Sequence, residues 1–212
     1  MTNKSGFTLA EVLTTLMVIG VVAAMTIPTL MNSTNEQQLK VAYKKALSVL
    51  GQGVQLMTAK EEECVVTSSN ELAACFQSKV LSGTRTDNVI TTADGMMYKF
   101  IYNSAKSTNA GSTARTIDEI CGDISTTGYS NAVASSYDGT NAACGVIVDL
   151  NGSKGTSSIT ATALDGAMAT EQQPIIVTGT GVRPIYTNNT DATSGYNGNK
   201  GWTWMYGDAN PI

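Results

Sequence analysis

Residues 6–30, GFTLAEVLTTLMVIGVVAAMTIPTL, constrain this chain more than any other stretch. From Phe7 to Leu30 the residues are apolar or small almost throughout, and Glu11 is the one formal charge among them. At 1.5 Å per residue, such a run makes a helix of roughly 36 Å, long enough to cross the hydrocarbon core of a bilayer. An acid inside such a span is costly unless something neutralises it, so Glu11 marks a functional position. Lys4 is the only basic side chain ahead of the run. A cut after Gly6 would give Phe7 a cationic amine, and Glu11 would lie within its reach along one helix face or across to a neighbouring chain.

A short basic leader ending at Gly6, the residues Phe-Thr-Leu-Ala-Glu at 7–11, the long apolar run and Pro28 together resemble the N-terminus of type IV pilins and type II secretion pseudopilins. The resemblance implies cleavage between Gly6 and Phe7 by a prepilin peptidase and N-methylation of Phe7. It also implies pairing of Glu11 with the Phe7 amine of an adjacent subunit during filament assembly. The partners implied are further copies of the chain, other pilin-like subunits, the prepilin peptidase, an inner-membrane assembly platform and the membrane itself. The implied location is the bacterial inner membrane, single-pass with the head outside the cytoplasm, and then an extracytoplasmic filament. The likeness covers about the first 30 residues, and the remainder only by general plan. Two other readings explain less: an acid in the core of a secretory signal cleaved near residues 22–24 weakens insertion, and an uncleaved anchor leaves Glu11 without a counter-ion.

Beyond the span about 180 residues remain, which suits one domain of ordinary size. Thirteen basic and 17 acidic residues give a net charge of -4, and losing Lys4 with the leader makes it -5. That balance opposes general binding of nucleic acid. The chain has no histidine, which removes the commonest general base and zinc ligand and excludes the usual catalytic triads, so no enzyme is expected and no catalytic residue is assigned. Cys64, Cys75, Cys121 and Cys144 all follow the span. Four cysteines permit three pairings in an exported domain, and proximity in the sequence favours Cys64 with Cys75 and Cys121 with Cys144.

In chain order, Pro28 removes a backbone donor, so a kink or local melting of the helix is expected there; in the resembling filaments such a proline marks a flexible or unwound stretch. Leu39, Tyr43, Ala46, Leu47, Leu50, Val54 and Met57 recur at spacings of three and four, predicting one apolar helix face for a sheet to pack on. Gly51 and Gly53 weaken that end of the helix, which is expected to depend on tertiary packing. The acidic run 61–63 reads as a solvated surface at the helix end. Residues 70–81 predict a short second helix capped at Asn70. Strands are expected from about Val89, with 88–92 and 96–102 joined at Asp94-Gly95. A short element is expected within 114–121 and a loop over 126–141. Residues 144–150 predict a strand ending at an Asn151-Gly152 turn, and 174–178 an edge strand beginning at Pro174. Asp149, Asn151 and Ser153 carry oxygen at alternate positions, a weak calcium candidate resembling loops of some pseudopilin-like heads; a hairpin turn is the favoured reading, and no cofactor is otherwise expected. Tyr196, Trp202, Trp204 and Tyr206 near the end of the sequence could form an adhesive or subunit-facing surface, but Trp202 and Trp204 alternate and suit one face of a last strand, the favoured reading.

The fold class expected is α+β, a long N-terminal helix with a membrane-spanning half and an amphipathic half packed on a small, mostly antiparallel sheet. The domains expected are a leader at 1–6, an assembly helix at 7–30, its amphipathic continuation at 31–60 and a globular head at 61–212. The function expected is a structural filament subunit. The alternatives are a minor or tip subunit that binds DNA, a surface or a secreted substrate and, less favoured, a membrane-tethered enzyme.

Overall fold

The computed structural model describes residues 6, 8–105, 107, 113–122, 136–137, 142–152, 159, 171–184 and 186–187. The chain divides into two compact units, Met1–Leu39 and Lys40–Ile212. Helix α1, Leu9–Ala59, contributes to both and is helical without a break through position 28.

Within the first unit, the segment Leu9–Ile27 is long and apolar enough to cross a membrane by length and composition. Its large side chains lie exposed, Leu9 by 79% and Met17 by 73%. The hydroxyls inside it bond back to the helix. Thr14 Oγ1 donates to the Ala10 and Glu11 carbonyls at 3.0 Å, Thr15 to Val12 at 2.9 Å and Thr26 to Val22 at 3.0 Å. No hydroxyl of these three threonines therefore asks an apolar medium for a partner.

The second unit is the α+β head. Tyr43, Ala46, Leu50, Val54 and Met57 are its buried helix stripe, and Leu47 is half-buried. Gly53 is required by packing, because a Cβ there would meet Val80 Cγ1 at 2.3 Å. Glu61, just past the end of α1, has a left-handed φ of 51°; its N–H donates to the Thr58 carbonyl at 3.2 Å, and the Glu62 N–H to that of Met57 at 2.9 Å. This is the Schellman closure, built on an acid where glycine is usual. Within the acidic run, Glu62 pairs with Lys79 and Glu63 joins a short strand.

The remaining elements are β1 (Glu63–Cys64), α2 (Ser69–Lys79), β2 (Gly83–Thr86), β3 (Val89–Thr92), β4 (Met97–Tyr102), β5 (Arg115–Thr116) and α3 (Ile117–Cys121). After them come β6 (Ser136–Tyr137), β7 (Cys144–Asp149), β8 (Gln172–Thr178), β9 (Gly181–Pro184) and β10 (Tyr186–Thr187). The main sheet has six strands in the order β2-β3-β4-β7-β8-β9, every pair antiparallel. β1 pairs with β5, and β6 with β10. Strand β4 alternates as expected, with Tyr98 and Phe100 buried and Met97, Lys99 and Ile101 half-exposed. Phe100 stacks on Phe76 of α2 with ring centroids 4.8 Å apart. Strands β7 and β8 are buried along their whole length.

Five local expectations are corrected. The cap of α2 is Ser68 rather than Asn70, because Ser68 and Glu71 form a reciprocal box that satisfies backbone donors at both ends. The sheet begins at Gly83 rather than Val89, since β2 folds onto β3 across Asp87, at φ 52°. Residues 136–137 are a strand within a stretch expected to be loop. Asp149 pairs with Gln172, so the connection after β7 is long rather than a two-residue turn at Asn151-Gly152. Pro174 lies in an interior strand. It is tolerated because β9 pairs no further than Ile175, opposite Pro184, and the Pro174 carbonyl instead accepts from Tyr43 Oη at 3.2 Å.

Candidate processing and assembly site

The site is built on the start of α1. Gly6 is exposed and outside the helix, Thr8 is the last residue before it, and Leu9 is the first helical residue. The Thr8 N–H and the Thr8 hydroxyl both donate to Glu11 Oε2 at 2.8 Å, and the Glu11 N–H approaches Thr8 Oγ1 at 3.3 Å. Thr8 and Glu11 thus form a capping box, in which two donors left over at a helix start are met by side chains of the same turn. Both Thr8 bonds fall on Oε2, and Oε1 accepts from no described residue. An acid in the first turn also meets the positive end of the helix dipole.

Thr8 is thus a neutral partner of Glu11 beside any counter-ion. The signal for it is in the sequence as Thr-x-x-Glu ahead of an apolar run, the same pattern as Ser68-x-x-Glu71 at α2. Glu71 Oε2 there accepts from the Thr67 N–H at 2.5 Å and the Ser68 N–H at 3.0 Å. These bonds, the Thr67 hydroxyl first, hold the Glu71 carboxyl below its ordinary range. Phe7, the other half of the bond expected to be cut, lies outside the described residues, as do Lys4 and the side chain of Pro28.

The remaining site residues lie in the head. Cys64 is bonded to Cys75, Cα atoms 5.9 Å apart, tying β1 to α2; Cys121 is bonded to Cys144, 5.2 Å apart, tying α3 to β7. Asp149 is 0% exposed. Its Oδ1 accepts the Gly152 N–H at 2.7 Å and the Asn151 N–H at 3.1 Å, and its Oδ2 accepts the Gln172 amide at 3.4 Å. Gly152, at φ 56°, presses so close to the 94–95 turn that a Cβ would fall 1.6 Å from the Gly95 carbonyl oxygen. The carboxylate closes a turn that docks on another turn. Ser153 lies outside the described residues, as do the aromatics at 196, 202, 204 and 206, and among the described residues no group of three or more acids or cysteines could hold a metal ion.

No curated protein and no solved structure matches this chain. Residues 1–27 match the family model of the prokaryotic N-terminal methylation motif, and the chain thereby carries the signature of the type IV pilins and pseudopilins.

Proposed function

We propose that the chain is a structural subunit of a type IV pilus-like filament, a pilin or a type II secretion pseudopilin, assembled through its apolar helix after removal of residues 1–6. The observation that carries the reading is one conjunction: the methylation motif overlies an exposed apolar helix whose single acid keeps one oxygen, Oε1, without a described partner. A prepilin peptidase cuts between Gly6 and Phe7, and Phe7 is N-methylated. The new amine of one subunit meets Glu11 of the next at Oε1, while Thr8 keeps Oε2. In a medium of low dielectric, such a pair fixes axial register, because a one-turn slip strands both charges.

The apolar segment, held by lipid before assembly, then buries itself against neighbouring helices in a head-to-tail contact that need not close. Pro28 is the place where the helix gives way during that transfer. The domains are a leader at 1–6, an assembly helix at 7–30, a continuation at 31–60 and the head at 61–212. The partners are further subunits and an inner-membrane assembly platform, with the head outside the cytoplasm. The test is the terminal mass of protein taken from the native membrane. A start at methylated Phe7 is expected, and retention of residues 1–6 contradicts the reading. Deleting the gene and assaying motility, DNA uptake and secretion separates pilus, competence and secretion roles.

A further inference from the structure

The two edges of the main sheet differ. At the β2 edge, Gln77 Nε2 donates to the Gly83 carbonyl at 2.9 Å, and Arg85 is held by Gln77 Oε1 at 3.0 Å and the Asp87 carbonyl at 2.8 Å, so a side chain of α2 reaches across to that edge. The β9 edge has no strand beside it among the described residues. It borders instead an open groove of about 680 Å³ whose other wall is α1 at Ser48, Gln52 and Gln55. That volume is within the ~300–1,000 Å³ of ordinary ligand clefts.

We propose that this groove captures an extended, acidic peptide segment of another protein, which adds to β9 as a further strand and places a carboxylate on Arg183. Thr178 and Gly181 close the β8–β9 hairpin, with Thr178 Oγ1 donating to the Gly181 carbonyl at 2.9 Å. Alternation along an antiparallel strand then directs the N–H and C=O of Val182 and the C=O of Pro184 away from β8. These are the main-chain groups through which an added strand binds.

Each wall of the groove carries a glycine. A Cβ on Gly51 would stand 3.5 Å from Val182 Cγ2, and one on Gly181 would enter space with nothing within 4 Å. Charge selects the occupant. Arg183 is exposed, is the one charged residue lining the groove, and has no partner among the described residues; Gln55 on the facing wall has none either. Four residues of β9 span about 13 Å, room for a peptide of similar length. The proposal stands whether or not the chain polymerises.

The full chain in detergent micelles is panned against a phage-displayed library of random hexapeptides, and the best-enriched peptide is synthesised for fluorescence anisotropy. Enrichment of Asp or Glu among β-branched residues is expected. Affinity should fall at least tenfold in Arg183→Glu and in Gly181→Trp, which fills the groove, and stay within threefold in Arg183→Lys. Gln55→Glu, on the exposed helix face, should also weaken binding and serves if a strand variant fails to fold. The proposal is overturned by no enrichment, by enrichment indifferent to these variants, or by sedimentation showing that they alter only self-association, which would make a second copy the occupant.

Discussion

The two halves of α1 obey the same helical geometry and opposite rules of burial. From Leu9 to Ile27 the large apolar side chains lie exposed, whereas from Tyr43 to Met57 they form one stripe at 0–1% exposure within the head. A stripe tells where a helix meets its own protein. An all-round apolar surface is one that lipid or other apolar helices would cover.

The sharpest way to break that contrast is to truncate one residue in each half. Leu50→Ala opens a cavity under the sheet and should destabilise the head by about 2–5 kcal/mol, while Leu16→Ala should leave head unfolding unchanged within about 0.5 kcal/mol. Urea unfolding in detergent, read by tryptophan fluorescence, checks both; equal effects would end the distinction. Next in size is the Cys121–Cys144 bond, which closes 23 residues of chain. Replacing both cysteines by serine should lower head stability by about 3 kcal/mol and leave helix content in the first unit unaltered by circular dichroism.

Part of this contrast is legible in the sequence, and the reason is period. Tyr43, Ala46, Leu50, Val54 and Met57 announce their face because one helix face meets one sheet. Strands β7 and β8 likewise show as apolar runs, but the order in which strands flank them does not. The interior place of Pro174 depends on how far β9 extends and on Tyr43, 131 residues earlier in the chain, and no local pattern encodes that. Nor does composition mark β2, whose four exposed residues GTRT read as a loop until β3 pairs with them. At the helix start the motif is plain in the sequence, whereas the bonds of Thr8 to Glu11 depend on the turn that sets a neutral hydroxyl beside the acid three residues on.

A smaller effect sharpens the head side of the comparison. Lys45 of α1 donates to Asp94 at 2.7 Å, and this bond, followed by one from Thr92, lowers the Asp94 carboxyl from 3.8 to about 2. The folded value lies below the unfolded one, so the stabilisation is whole above pH 3.8 and drains away as pH falls towards 2. Lys45 and Asp94 are 57% and 35% exposed, which limits the gain to no more than about 1 kcal/mol. Thermal melts from pH 5 to pH 2 should show a larger loss in the natural chain than in Asp94→Asn, which keeps only the share of other carboxylates such as Glu71. The smallest expected effect concerns calcium. Because Asp149 is engaged in closing its turn, millimolar calcium or a chelator should shift the melting temperature by less than about 1 °C; a larger rise with calcium would make the loop a binding site.

The central claim is that the exposed half of α1 finds its partners through Glu11. Filament yield from cells producing Glu11→Ala, with processing at Gly6 confirmed by mass, tests it most directly. Cleaved and methylated subunits that stay in the membrane without polymerising are the result predicted, and filaments at the natural yield would contradict it.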